Sequence, residues 1–206
     1  MKHRVLLTMS VAALAFCGPA VAAGTATAAA GTATGTAGAA TVRHAAAGHR
    51  YCVAVAARPG QAAPSMSCYR TFAASIRAAT RGRVRLPASA KPGSVTPDQI
   101  NAADVTPATV YVLSIDFANA GYGGSSLTWT QSSKCGAFLA SSMPSGWNDV
   151  ISSVQASSGC ATTLFWNINF GSPTYPIAKN GAASSLGVFN DEASSQSWCT
   201  AEPCGS

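Results

Sequence analysis

Asn148-Asp149-Val150-Ile151-Ser152-Ser153 and Asn190-Asp191-Glu192-Ala193-Ser194-Ser195 are two copies of one pattern: an acid or amide twice, two free positions, then two hydroxyl residues. They begin 42 residues apart, the size of one four-strand Greek key, and so mark an internal repeat. Each copy has a companion upstream. Phe117-Ala118-Asn119-Ala120-Gly121-Tyr122-Gly123-Gly124 precedes the first, and Phe165-Trp166-Asn167-Ile168-Asn169-Phe170-Gly171-Ser172 precedes the second. In both, two aromatics stand five residues apart and glycine follows. A folded hairpin needs this: the rings stack while glycine takes a backbone conformation that other residues avoid.

Two hairpins and two loops in this order resemble the microbial βγ-crystallin-type domain. Its double Greek key has one aromatic-x4-aromatic-x-Gly hairpin and one N/D-N/D-x-x-S/T-S calcium loop per half. Phe117, Tyr122 and Gly124 match the hairpin fully, while Ser172 stands at the last glycine of the second. The resemblance covers about 111–200 and implies an all-β fold, a double Greek-key βγ-crystallin-like sandwich. It also implies two calcium ions, each clamped between the halves. By the family pattern Ser152 and Ser194 contribute hydroxyl oxygens and Val150 and Glu192 backbone carbonyls. Asn148, Asp149, Asn190 and Asp191 supply side-chain oxygens or loop hydrogen bonds. The chemistry agrees independently, because calcium is a hard ion that takes about six to eight oxygen ligands. Few formal charges per site imply weak binding, on the order of micromolar to millimolar. Asn, Asp and Ser also cap turns, and for either loop alone that plainer reading is the stronger.

Outward from these motifs, 106–206 reads as the βγ-crystallin-like domain, with strands expected at 109–115, 126–130, 150–155, 162–166 and 186–189. The four tryptophans, Trp129, Trp147, Trp166 and Trp198, suit core or hairpin packing. Residues 50–105 form a basic N-terminal region with a strand-like run at 51–57 and one short amphipathic helix marked by Phe72, Ile76 and Ala79. Charge divides the same way. Between Arg43 and Lys91 there are eight arginines and one lysine with no acid, a balance of +9, whereas the chain after Val105 carries −3. The basic region suits an anionic cell envelope or is a solvated face; nucleic acid is not expected.

Residues 24–49 are almost wholly Ala, Gly and Thr and read as a flexible segment, too poor in large apolar groups to offset its ordering entropy. Residues 1–23 have a charged start, a short apolar run and a small-residue cleavage region near Ala22, the form of a signal peptide. Phe16 before Cys17 fits a lipid-attachment site badly. A secreted, extracellular chain with no transmembrane segment in its mature form is expected. Cleavage leaves Cys52, Cys68, Cys135, Cys160, Cys199 and Cys204, an even set suited to disulfides. Spacing favours Cys52 with Cys68, Cys135 with Cys160, and Cys199 with Cys204. No CxxC pair supports zinc.

His3, His44 and His49 are the only histidines and precede the region expected to fold. Triads and zinc-imidazole sites therefore lose their usual base or ligand, and no enzyme is expected. The arrangement resembles the crystallin-fold inhibitors of secreted zinc metalloproteinases, which implies a peptidase inhibitor. Two other readings stay open: a calcium-stabilised structural or cell-wall-associated module, and a secreted antimicrobial toxin on the same fold.

Overall fold

Val112-Leu113-Ser114-Ile115-Asp116-Phe117 is buried without a break, where a strand with one wet face would alternate. The computed structural model describes residues 49–61, 65–102 and 110–205. Residues 1–23, where a signal peptide is expected, and nearly all of 24–49 lie outside the described residues. In chain order the elements are β1 (Tyr51–Val55), β2 (Met66–Tyr69), α1 (Phe72–Ala79), α2 (Pro97–Ala102), β3 (Tyr111–Asn119), β4 (Gly123–Gln131), β5 (Phe138–Ala140), β6 (Ser153–Ala156), β7 (Ala161–Asn167), β8 (Gly171–Ile177), β9 (Ala182–Ala183) and β10 (Ser195–Cys199).

One sheet runs β2-β1-β4-β3-β6-β9 and the other β5-β10-β7-β8. In each half of the repeat the third strand crosses over: β5 leaves β3, β4 and β6 to join the second sheet, and β9 leaves β7, β8 and β10 to join the first. The orders β4-β3-β6-β9 and β8-β7-β10-β5 are therefore the same, the mark of two intertwined Greek keys. The fold is all-β, a double Greek-key βγ-crystallin-like sandwich.

Burial of β3 on both faces follows from a third layer. A bulge between Val112 and Ser114 turns Leu113 and Ser114 both toward the second sheet, and Val112, Ile115 and Phe117 face the other way. That outer face is covered by Phe72, Ile76 and Ala79 of α1 together with Val84 and Ile100. The basic region reaches this face through β1, which pairs parallel with β4 from Tyr51↔Ser126 to Val55↔Thr130. Cys52, Ala54 and Ala56 point into the inter-sheet core while Tyr51 and Val53 join the outer cluster.

Helix α1 spans the expected apolar spacing and starts where Thr71 Oγ1 accepts the Ala74 N–H at 3.1 Å. A second helix, α2, corrects the expectation of one. It opens with a capping box, Gln99 N–H to Thr96 Oγ1 at 3.2 Å and Thr96 N–H to Gln99 Oε1 at 2.8 Å, with Pro97 as its first residue. Asn101 then ties it to β3, accepting the Val112 N–H and donating to the Val112 carbonyl.

The strand expected at 186–189 is instead a 3-10 turn. Gly187 has φ +59 there, and Phe189 turns inward against Trp166 and Tyr175. Strand β6 starts at Ser153 rather than 150, because 148–152 belong to the loop. Strands β2, β5, β8, β9 and β10 were not legible in sequence. Strand β8 contains Pro173 and Pro176, tolerable because it is an edge. Strand β10 reads polar, yet Ser195, Gln196 and Ser197 are wholly buried. The three disulfides are Cys52–Cys68, Cys135–Cys160 and Cys199–Cys204, the pairs that spacing favours. Trp129, Trp147 and Trp198 are fully buried; Trp166 is half-buried.

Candidate metal centre

Both hexapeptides begin directly after a buried aromatic, Trp147 in one and Phe189 in the other. Asp149 and Asp191, the second residues, are exposed and sit in the left-handed region with φ 54 and 58. Asp tolerates this conformation better than most residues. The fourth residues, Ile151 and Ala193, are fully buried and anchor each loop from below.

The two loops grip each other through the backbone. The Asp149 N–H donates to the Ala193 carbonyl at 3.1 Å and the Asp191 N–H to the Ile151 carbonyl at 3.0 Å. Their side chains cross in the same way: Ser152 Oγ donates to Asp191 Oδ1 at 2.9 Å, and Ser194 Oγ donates to Asp149 Oδ1 at 3.1 Å. Each carboxylate is thus brought to the fifth residue of the opposite loop.

The sixth residues face the hairpins. Ser153 Oγ donates to the Asn119 carbonyl at 2.7 Å and accepts the Tyr122 N–H at 3.1 Å. Ser195 Oγ does the same with the Asn167 carbonyl at 2.6 Å and the Phe170 N–H at 3.1 Å. Those hairpins fold as expected: Phe117 meets Tyr122 edge-on at 5.5 Å and Phe165 meets Phe170 at 5.4 Å. Gly124 has φ +77, with Asn119 Nδ2 only 2.8 Å from where a Cβ would stand. Ser172, at the corresponding place, has no positive φ, so the second hairpin keeps its aromatic corner without a left-handed residue at that position.

The remaining residues of the set are less symmetric. Asn148 Nδ2 donates to Asp149 Oδ2 at 2.6 Å, while Asn190 Oδ1 accepts the Leu186 N–H at 3.0 Å and so closes the turn before its loop. Val150 and Glu192 are half-buried, and among the described residues nothing donates to the carbonyl of either. Each half therefore offers one carboxylate, one hydroxyl from the opposite loop and one unbonded carbonyl, a set of hard oxygens that fits calcium. Among the described residues no three His, Cys, Asp or Glu side chains converge.

Among the solved structures that resemble part of the chain are three βγ-crystallins. A βγ-crystallin from an archaeon has 23% identity over 41% of this chain and 94% of its own, with a TM-score of 0.32. A βγ-crystallin from Ciona intestinalis has 26% identity over 40% and 94%, TM-score 0.33. A βγ-crystallin domain from Flavobacterium johnsoniae has 22% identity over 45% and 99%, TM-score 0.32. No protein-family model matches the sequence, and no curated protein matches it.

Sequence reasoning missed Asp116. It is wholly buried between the sheets, accepting the Trp129 Nε1–H at 2.7 Å and the Gln196 Nε2–H at 3.4 Å. Burial pushes its pKa up to about 7, against the hydrogen bonds from Trp129, Gln196 and Ser114 that lower it. Lying within an apolar strand run, it carried no local signal. Ser153 and Ser195 were visible as the last positions of the repeat, but not as the pins that join loop to hairpin.

Proposed function

We propose that the protein is a secreted, non-catalytic module whose βγ-crystallin-like domain binds two calcium ions and is stabilised by them. The observation that carries this reading is the reciprocal pairing of Asp149 with Ser194 and Asp191 with Ser152. Turn capping alone would satisfy each loop within itself; here the acids and hydroxyls are exchanged between loops. When bound, each ion would supply a positive charge between the halves and add links to the four hydrogen bonds that already join the loops. The three disulfides suit an oxidising compartment, and among the described residues no helix is long and apolar enough to cross a membrane. His49, the one histidine among the described residues, shares its pocket with Arg50, Tyr51, Cys68, Tyr69 and Arg70 and with no carboxylate.

Isothermal titration of the purified protein with calcium, against magnesium, tests the proposal. Two ions per chain are expected, with Kd on the order of micromolar to millimolar. No calcium-specific heat and no change in a competing chelator assay would remove it.

A second reading, inhibition of a secreted zinc metalloproteinase, has one observation in its favour. Cys199–Cys204 closes a short loop whose Thr200, Ala201, Glu202 and Pro203 are all exposed. A pre-closed loop loses little ordering entropy on entering a cleft. Nanomolar inhibition of a thermolysin-like enzyme, lost when 200–203 are replaced by glycine and serine, is the outcome expected of an inhibitor; unimpeded peptidase activity would leave the calcium module alone.

A further inference from the structure

The layer over the outer face of the first sheet has a surface of its own. From 49 to 91 it contains no acid, and Arg50, Arg58, Arg70, Arg77, Arg81 and Arg85 are all exposed. Among the described residues none of these six guanidinium groups is in an ion pair or a side-chain hydrogen bond. Arg83 differs, since its Nη2 donates to the Val110 carbonyl at 2.9 Å. Arg70 stands just before α1, Arg81 just after it, and Arg77 in its last turn. Arg77 and Arg85 line one groove of about 300 Å³, whose walls are Thr71, Ala73, Ala74, Leu86 and Ala88.

Solubility alone is served by interspersed charges of both signs, and by lysine as well as arginine. A groove lined by two arginines and no acid suits phosphate, which the planar guanidinium fork grips through two parallel hydrogen bonds. The groove between Arg77 and Arg85 has no aromatic wall on which a nucleobase could stack. Among the described residues of this layer Val55, at 46%, is the one large apolar side chain exposed, which is too little for the apolar wedge of an interfacial membrane binder.

We infer that this face docks a phosphodiester-linked polyanion of the extracellular envelope, one without bases or acyl chains, and that Arg77 and Arg85 hold a phosphate between them. Such docking is independent of calcium, because it uses none of the loop residues.

The test measures equilibrium binding of the purified protein to poly(glycerol phosphate) at increasing salt, with phosphatidylglycerol vesicles and double-stranded DNA as parallel arms. Binding to the polymer is expected at low salt, weakening as salt rises. In Arg77→Gln/Arg85→Gln the affinity should fall about tenfold or more and the log–log salt slope should shrink by about 1.4, roughly 0.7 per lost phosphate contact. The variant's melting curve and its calcium response should match the parent's, which separates docking from folding and from the calcium reading. Absence of polymer binding at low salt, an unchanged affinity in the folded variant, or tighter binding to vesicles or DNA would each overturn the inference.

Discussion

Calcium at about 100 times its Kd should raise the melting temperature by about 10 °C or more, and magnesium should not. A ligand that binds only the folded state adds about 2.7 kcal/mol per site at that excess, and in a domain of this size each kcal/mol shifts the midpoint by roughly 2–4 °C. The crossed geometry makes the prediction sharper. Asp149 shares its oxygen with Ser194 and Asp191 with Ser152, so Asp149→Ala should remove one ion and Asp191→Ala the other, each leaving about half the shift. The double variant should lose it. Asp149→Asn/Asp191→Asn keeps an oxygen acceptor for each serine and a residue tolerant of positive φ. It should melt like the parent in EDTA and respond weakly to calcium. A double alanine variant that still responds as the parent does would mean the ions, if bound, lie elsewhere.

The second large effect concerns Asp116. Above its folded pKa of about 7 the sandwich encloses a carboxylate that water would solvate far better. Among the described residues no other ionisable group is buried beside it: β4 contributes Leu127 and Trp129, β6 Val154 and Ala156, β7 Thr162 and Leu164, and β10 Gln196 and Trp198. In the unfolded chain the same group titrates near 3.8, the ordinary value for an aspartate. Between those two values the folded state holds a proton that the unfolded state has released, so stability falls as pH rises through that window. The accumulated loss above pH 7 is on the order of 4 kcal/mol. Asp116→Asn should remove it. The amide oxygen can still accept from Trp129, and no carboxylate is left to be buried. Melting curves of parent and variant should nearly coincide at pH 4 and diverge by about 10 °C at pH 8, the variant being the more stable. Parallel curves across that range would show that the carboxyl does not titrate there.

Two kinds of information separate cleanly in this chain. Local pattern alone carried the repeat of loop and hairpin, the aromatic corners at Phe117 and Phe165, the helix at Phe72, Ile76 and Ala79, and the three cysteine pairs. Each depends on neighbours within a few residues or on short spacings, where sterics and periodicity act directly. Strand β10 escaped notice because its serines and glutamine look like loop residues; their burial is tolerable because partners such as Thr162, Asn167 and Asp116 are supplied by other strands.

Only the tertiary structure decided which half each hydroxyl serves. Position five of either loop is serine in the sequence, yet its partner is the carboxylate some forty residues away across the pseudo-symmetric interface. The parallel docking of β1 against β4, separated by 75 residues at Tyr51↔Ser126, is likewise invisible to any short window. Strand pairing joins backbone groups that nearly every residue possesses, so its register is selected by what each strand face buries once all layers are in place. That selection, not the local sequence, turned a basic N-terminal region into the outer wall of the Greek keys.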